Sequence, residues 1–381
     1  MREKYMNARV GLMTCCVIIL ATTNTGVLAQ SGVTLYGNVD GGVMFSDSGV
    51  SGGSLTSLAS AGFGSFWGLR GTEDLGRGYR TLFQLESGID ISTGSSISFN
   101  GDYNSATPTA PNGPTITGFN RRAYIGLDSP YGMVQLGRDY TPLFYAAAAS
   151  DTMRLQYFGN LQATLQITGG VERMARVSNG IFYTSPVMGG LKIRAAYSFG
   201  SESTGQGAGP PRNGNEFIGI GAEYVNGGLT VVGSVQRLKL PLTAGAPLVF
   251  TNLHRREDAL IGIRYRTGNF TFTAGHFRIG SPIKGSNTWL GASAIFGPST
   301  LYLQVQQLKQ KIPSLQDRHG TAVGIAFDYA LSRRTVLYAA YGITSNNATG
   351  RFAVIGSDVA VAPGAVGATP RAVAFGVRHS F

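Results

Sequence analysis

The sequence is short of charge, of thiols and of long apolar runs. Of its 381 residues only 13% are Asp, Glu, Lys or Arg, about half the ~25% of an ordinary soluble domain. A chain so poor in charge either hides its surface or faces something other than water. The two cysteines are neighbours, Cys15 and Cys16, which excludes a disulfide framework or a thiol–metal site over the rest of the chain. His254, His276, His319 and His379 stand in separate segments without ligand spacing, so no metal and no cofactor is expected. Serine and aspartate are plentiful, but no local context marks a nucleophile with its base, and an enzyme is not expected. No apolar stretch after the first thirty residues reaches the ~18 residues of a helical membrane span.

The first residues read as an address. Arg2, Lys4 and Arg9 precede an apolar core of 12 residues, Val10–Ala21, and Val27-Leu28-Ala29 offers small residues for cleavage before Gln30. Met1–Ala29 is therefore expected to be a removable export signal, leaving residues 30–381 as one domain. Both cysteines go with it. Removing three basic residues and one acidic residue leaves 28 against 19, a net charge of +9. The basic residues are spaced singly along the chain and form no basic tract, so a nucleic-acid partner is not expected.

What the mature chain does have is alternation. Val373, Phe375, Val377 and Phe381 share one face of the last segment, with Ala372, Ala374, Gly376, Arg378 and Ser380 on the other. Val33, Leu35, Val39, Val43 and Phe45 oppose Thr34, Tyr36, Asn38, Asp40 and Met44 in the first. Such segments have period two, the mark of strands with two unlike faces. Sixteen can be placed, near 33–45, 63–72, 79–90, 119–128, 132–139, 179–185, 191–199, 216–224, 229–238, 257–266, 270–279, 288–296, 300–308, 319–330, 335–343 and 371–381. Short connections alternate with long polar ones, and Tyr79, Tyr131, Tyr183, Tyr197, Tyr224, Tyr265, Tyr329, Tyr341 and Phe381 sit at segment ends. An all-β, 16-stranded antiparallel transmembrane barrel satisfies each of these features, with short turns at one end, long loops at the other and aromatic girdles at the interfaces. A soluble sandwich or a solenoid does not, the first for its one-sided long loops and the second for want of a fixed repeat. Glycine, 55 residues, is about twice its usual share. It is expected to supply turns and small lumen positions that leave room for solute.

Specific segments carry a family resemblance. Ser31-Gly-Val-Thr-Leu-Tyr-Gly-Asn-Val-Asp40, Gly68-Leu-Arg-Gly-Thr-Glu-Asp-Leu-Gly76 with Phe83-Gln-Leu-Glu-Ser87, and Asn120-Arg-Arg-Ala-Tyr-Ile-Gly-Leu127 form a first group. Ser129-Pro-Tyr-Gly132, Leu136-Gly-Arg138, Arg176-Val-Ser-Asn179, Tyr183-Thr-Ser-Pro186 and Gly376-Val-Arg-His-Ser-Phe381 continue to the end. Together they resemble the trimeric general-diffusion porins of beta-proteobacteria. The resemblance implies a homotrimer of water-filled channels in the Gram-negative outer membrane, with a third external loop folded inward. It also implies contact with outer-membrane lipid and lipopolysaccharide, recognition of Phe381 by the barrel-assembly machinery, and small hydrophilic solutes as cargo.

Strand parity then assigns charges. Arg80, Arg122, Lys192, Arg194, Arg264 and Arg378 fall opposite the apolar face; a cation on the lipid side near the midplane would cost ~2–4 kcal/mol, so they are expected in the lumen. The resemblance adds Arg121, Arg138 and Arg176 to this basic wall. The longest loop, 140–178, carries Asp151 and Glu172 and is expected to fold inward, its two acids facing the arginines and setting a transverse field. Phe66 shares the face of Arg70 where relatives often carry a basic residue, which weakens the expected anion preference. The expected function is passive diffusion of small hydrophilic solutes and ions with weak anion preference. The alternatives are a channel specific for organic acids or similar nutrients, and a structural or adhesion barrel.

Overall fold

The structure, a computed structural model, describes residues 32–96, 102–103, 118–163, 173–200, 216–240, 254–280, 284–311 and 316–381. The expected export signal lies outside the described residues. Sixteen long strands dominate: β1 Gly32–Asp47, β2 Phe66–Gly76, β3 Tyr79–Gly88, β4 Arg122–Ser129, β5 Gly132–Tyr140, β6 Arg173–Thr184, β7 Leu191–Ser198 and β8 Phe217–Asn226. The second half is β9 Leu229–Leu240, β10 His254–Thr267, β11 Phe270–Ile279, β12 Lys284–Phe296, β13 Ser299–Lys311, β14 Arg318–Ala330, β15 Thr335–Asn346 and β16 Arg371–Ser380.

Every neighbour in this order pairs antiparallel, and β16 returns to β1, with Ser380 opposite Asn38 and Arg371 opposite Asp47. The sheet is thus a closed barrel. The lower half of β1 pairs with β2, and its upper half with a short strand, Ser54–Ala59, that sequence reading placed in a loop. At the seam Phe381 exchanges backbone hydrogen bonds with Gly37, each 3.1 Å long. The Phe381 ring covers Gly37 so closely that a Cβ there would come within 2.6 Å of it.

Alternation sets which face looks out. Val33, Leu35, Phe45, Ile220, Ile261, Leu290 and Phe375 are exposed on the outside, while Asp40, Gln304, Gln306 and Trp289 are buried inside. Tyr79, Tyr131, Tyr183, Tyr224, Tyr265, Phe270, Phe296 and Tyr329 are exposed beside the short turns and form a girdle at that end. Several turns are two residues long, and Gly227, Gly268 and Gly297 hold φ of 55°, 55° and 57° there. These are the left-handed conformations that a tight hairpin matched to strand twist requires.

Two expectations need correction. Strict alternation of short and long connections fails, because the outer connections 280–283 and 312–317 are also short. The cause lies in strand length: β12 starts at Lys284 and β13 runs to Lys311, beyond the lipid band, where apolar alternation gives no signal. The second concerns glycine. Segment 141–163 enters the barrel as helix α1, Pro142–Ser150, whose first turn is capped by Thr141 Oγ1 accepting from Phe144 N at 3.2 Å. It then crosses the inner wall on a track of lumen-facing glycines. A Cβ at Gly262 would lie 2.4 Å from Ser150 Oγ, one at Gly291 2.2 Å from Thr152 Oγ1, and one at Gly324 2.1 Å from the Phe158 carbonyl oxygen. These small positions therefore seat the loop, and do not leave room for solute.

The buried apolar cluster of the molecule is this seat. Leu143, Ala146, Leu155 and Leu161 pack on Val232, Leu260, Phe277, Trp289 and Leu308, and Met153, Tyr157 and Phe158 on Tyr302, Tyr338 and Ala340. Trp289 Nε1 donates to the Ser150 carbonyl at 3.0 Å, and Gly159 N to the Ile355 carbonyl of the last outer loop at 3.0 Å. Gly324→Val removes the space under Phe158 while leaving β14 paired. It should lift the loop from the wall, raising single-channel conductance and its noise in planar bilayers; an unchanged conductance would contradict the seat.

Candidate functional site

Four predicted arginines converge where β4, β5 and β6 meet the start of the inward loop. Arg121 is buried, with Nε 3.6 Å from Glu86 Oε2 and its guanidinium carbon 4.6 Å above the Phe66 ring. Arg122 pairs with Asp139 at 2.9 Å and donates to Tyr145 Oη on α1 at 2.6 Å. Arg138 donates to the Asn120 carbonyl at 2.9 Å and to Ser178 Oγ at 2.7 Å. Arg176 donates to Tyr140 Oη at 2.7 Å and lies 4.4 Å over that ring, which itself stacks on Phe144 at 4.3 Å. Guanidinium groups layered on aromatic faces gain about 0.5–2 kcal/mol each and are held rigid.

The other predicted bases are distributed around the inner wall. Arg194 pairs with Glu223 at 2.9 Å and covers Tyr145, and Arg378 lies 3.8 Å from Asp328 and donates to Gln156 Oε1 on the loop at 2.6 Å. Arg80, in an ion pair with Asp128, and Lys192 and Arg264, register partners of Glu223 and Thr230, belong to the short-turn end. Phe66 faces the lumen as parity requires, edge-on to Tyr36 and Phe63 at 6.1 Å each. Its ring is the platform for Arg121, so the aromatic tethers a cation besides occupying space.

The acids of the loop were expected to face this wall. Glu172 lies outside the described residues. Asp151 is buried and points back into its own loop, where its carboxylate accepts from Met153 N at 3.1 Å, Leu155 N at 2.8 Å, Leu161 N at 3.1 Å and Gln304 Nε2 at 2.7 Å. Burial pushes its pKa up to about 6 against those donors, which favour the anion. The physical reason for its inward turn is plain: three backbone donors left by an irregular segment, with the Gln304 amide beside them, need an acceptor, and a carboxylate supplies it.

The turn that Asp151 closes presents a base. Arg154 and Leu155 hold φ of 59° and 56°, a conformation that non-glycine residues rarely adopt, and Arg154 is exposed beside Tyr302. Arg70, on β2, is likewise exposed and stacks 4.8 Å over Tyr36. Neither has an ion pair among the described residues. The wall carboxylates Glu86, Asp139, Glu223 and Asp328 thus offset Arg121, Arg122, Arg194 and Arg378, while Arg70 and Arg154 are exposed cations without such a partner among the described residues. Arg70 was detectable by its parity with Phe66. Arg154 carries no signal in sequence, since an irregular loop has no parity. Among the described residues no cluster of His, Cys, Asp and Glu could hold a metal ion.

A closed barrel with exposed apolar exterior, polar interior and an inward loop is a channel through a membrane. Comparison with known proteins agrees. A family model described as Gram-negative porin matches residues 16–349. Outer membrane porin protein 32 of Delftia acidovorans is 28% identical over 369 residues, covering 93% of this chain and 95% of that protein. An outer membrane porin protein of Bordetella pertussis is 25% identical over 409 residues, with 93% and 95% covered. The solved anion-selective porin from Comamonas acidovorans superimposes with a TM-score of 0.74 at 26% identity, covering 92% of this chain and all of that one. Family match, full-length relatives and barrel together place the chain in the Gram-negative porin family.

Proposed function

We propose that this outer-membrane porin passes small hydrophilic solutes and ions down their gradients with a modest preference for anions. The observation that carries the preference is the pair of open cations, Arg70 on the wall and Arg154 on the inward loop, beside four arginines that wall carboxylates offset. A relative's description as anion-selective supports the same reading. The working form is a homotrimer, exported with Met1–Ala29 as a removed signal and assembled through its terminal Phe381. The basic wall of Arg121, Arg122, Arg138 and Arg176 orients dipolar solutes as they pass, with Glu172 a further loop charge; lipid and lipopolysaccharide surround the barrel.

Purified protein in a planar bilayer should insert in conductance steps grouped in threes, and the reversal potential in a KCl gradient should have the sign of chloride preference. Absence of conductance would leave the adhesion barrel standing. Arg154→Ala should lower the chloride-to-potassium permeability ratio by roughly fourfold, since one charge about 10 Å from an ion in water is worth about 0.4 kcal/mol, with opposite sign for the two ions. An unchanged ratio would remove Arg154 from the current path.

Asp151 gives a pH dependence with a definite sign. Its carboxyl, raised to about 6, is charged at neutral pH and takes a proton as pH falls through about 6. Losing that negative charge makes the lumen more positive, so anion preference should rise between pH 7 and pH 5. In Asp151→Asn the step should vanish, with the low-pH ratio held throughout.

A further inference from the structure

Phe66, at the outer end of β2, and Phe63, just before it, are aromatic rings left partly exposed where the barrel wall is otherwise used for charge and hydrogen bonds. Apolar surface facing water costs free energy in proportion to its area, and Arg121 covers only one side of the Phe66 ring. Tyr36 and Phe63 both meet Phe66 edge to face, with ring centres 6.1 Å from it and interplanar angles of 72° and 74°. Neither pair is stacked, and all three side chains stay partly exposed.

A guanidinium stands at each end of this array, and the two differ in what they have left to offer. Arg121 is buried 4.6 Å over Phe66, with Glu86 at 3.6 Å. Glu86 is further taken up by Tyr36 Oη, which donates at 2.7 Å, and by Gln84 Nε2, which donates at 2.7 Å. Arg70 lies 4.8 Å over Tyr36, is exposed, and has no ion pair among the described residues. Its paired N–H donors match a carboxylate in bidentate geometry. The order along the strand is also suited to one class of solute. Phe63 and Phe66 lie toward the long loops, and Arg70 is four residues nearer the short turns, about 13 Å along the strand. Reaching over Tyr36, its side chain brings the charge back toward the rings.

We propose that this array is a binding subsite for small aromatic carboxylates of the benzoate type on their way through the channel. The carboxylate pairs with Arg70 while the ring lies against Phe66 and Phe63. An aliphatic acid of equal charge gains the ion pair without the ring contacts, and an aromatic cation meets two guanidinium groups and is repelled. The proposal rests on the reading of the chain as a conducting, anion-preferring porin and adds a class of solute to it.

The test is block of chloride current through single channels in planar bilayers at neutral pH. Benzoate is compared with cyclohexanecarboxylate, which carries the same charge at nearly the same size but has no π face. In wild type benzoate should block saturably, at a concentration about fivefold below that of cyclohexanecarboxylate, the size of one aromatic pair. Uncharged benzyl alcohol should not block. Phe66→Leu should bring the two acids within about twofold of each other, and Phe66→Tyr should restore the preference. Both acids are read in the same channel, so a change in pore width or in the hold on Arg121 cancels in the ratio. Arg70→Gln should weaken block by both acids roughly threefold and leave their ratio in place. Equal block by the two acids in wild type, or a ratio unmoved by Phe66→Leu, overturns the subsite while the channel reading stands. Should Phe66→Leu not fold, Phe63→Leu is read in the same way, with the same loss of preference expected. Absence of chloride current in wild type would instead remove the channel reading, and the subsite with it.

Discussion

A peptide group without a hydrogen-bond partner in hydrocarbon costs several kcal/mol, and this one constraint organises the molecule. It forbids an open sheet edge, so β1 must pair on both sides, with β2 and the Ser54–Ala59 strand on one and with β16 on the other. Closure in turn fixes register all the way round. Register fixes parity, and parity puts Leu35, Ile261 and Phe375 against lipid and Asp40, Gln304 and Asp328 inside. The seam at Gly37 and Phe381, where the last residue completes the pairing of the first strand, is where that chain of consequences begins.

Inside the barrel the same requirement acts on an irregular segment. The loop after β5 has backbone donors that no strand can satisfy. Asp151 takes three of them, Gln304 and Gln306 reach the Gly159 carbonyl from the wall, and the glycines of β10, β12 and β14 let the loop lie flat. The charge pattern of the lumen follows from this. The acid that seemed suited to face the arginines is used to build the loop, and the base beside it is displayed. Arginines found by parity are offset by carboxylates on adjacent strands, as Arg122 is by Asp139 and Arg194 by Glu223. Arg70 and Arg154 stand outside those pairs, and the proposed anion preference is assigned to them.

Sixteen strands and their direction were legible because lipid imposes a period of two that composition cannot disguise. Strand ends were not: Lys284, Lys309 and Lys311 lie beyond the apolar band, where polar residues continue the ladder without alternating in hydropathy. Parity puts Phe66 on the face of Arg70, but its contact under Arg121 depends on a cross-strand approach that no local pattern encodes. Asp151 was found as a loop acid and its direction was missed, since direction there is set by backbone donors ten residues apart in sequence, Leu161 among them. Glycine was read as empty space because spacing alone does not say what fills it.

The most direct measurement uses a cysteine at the loop tip. Residues 30–381 contain no cysteine, so Arg154→Cys in a protein produced from residue 30 provides a single thiol. In an open channel a water-soluble anionic methanethiosulfonate should attach to it, lowering conductance in a discrete step and cutting the chloride-to-potassium ratio below that of the unlabelled variant. Complete labelling with conductance and ratio both unchanged would contradict an inward loop that sets the charge of the passage.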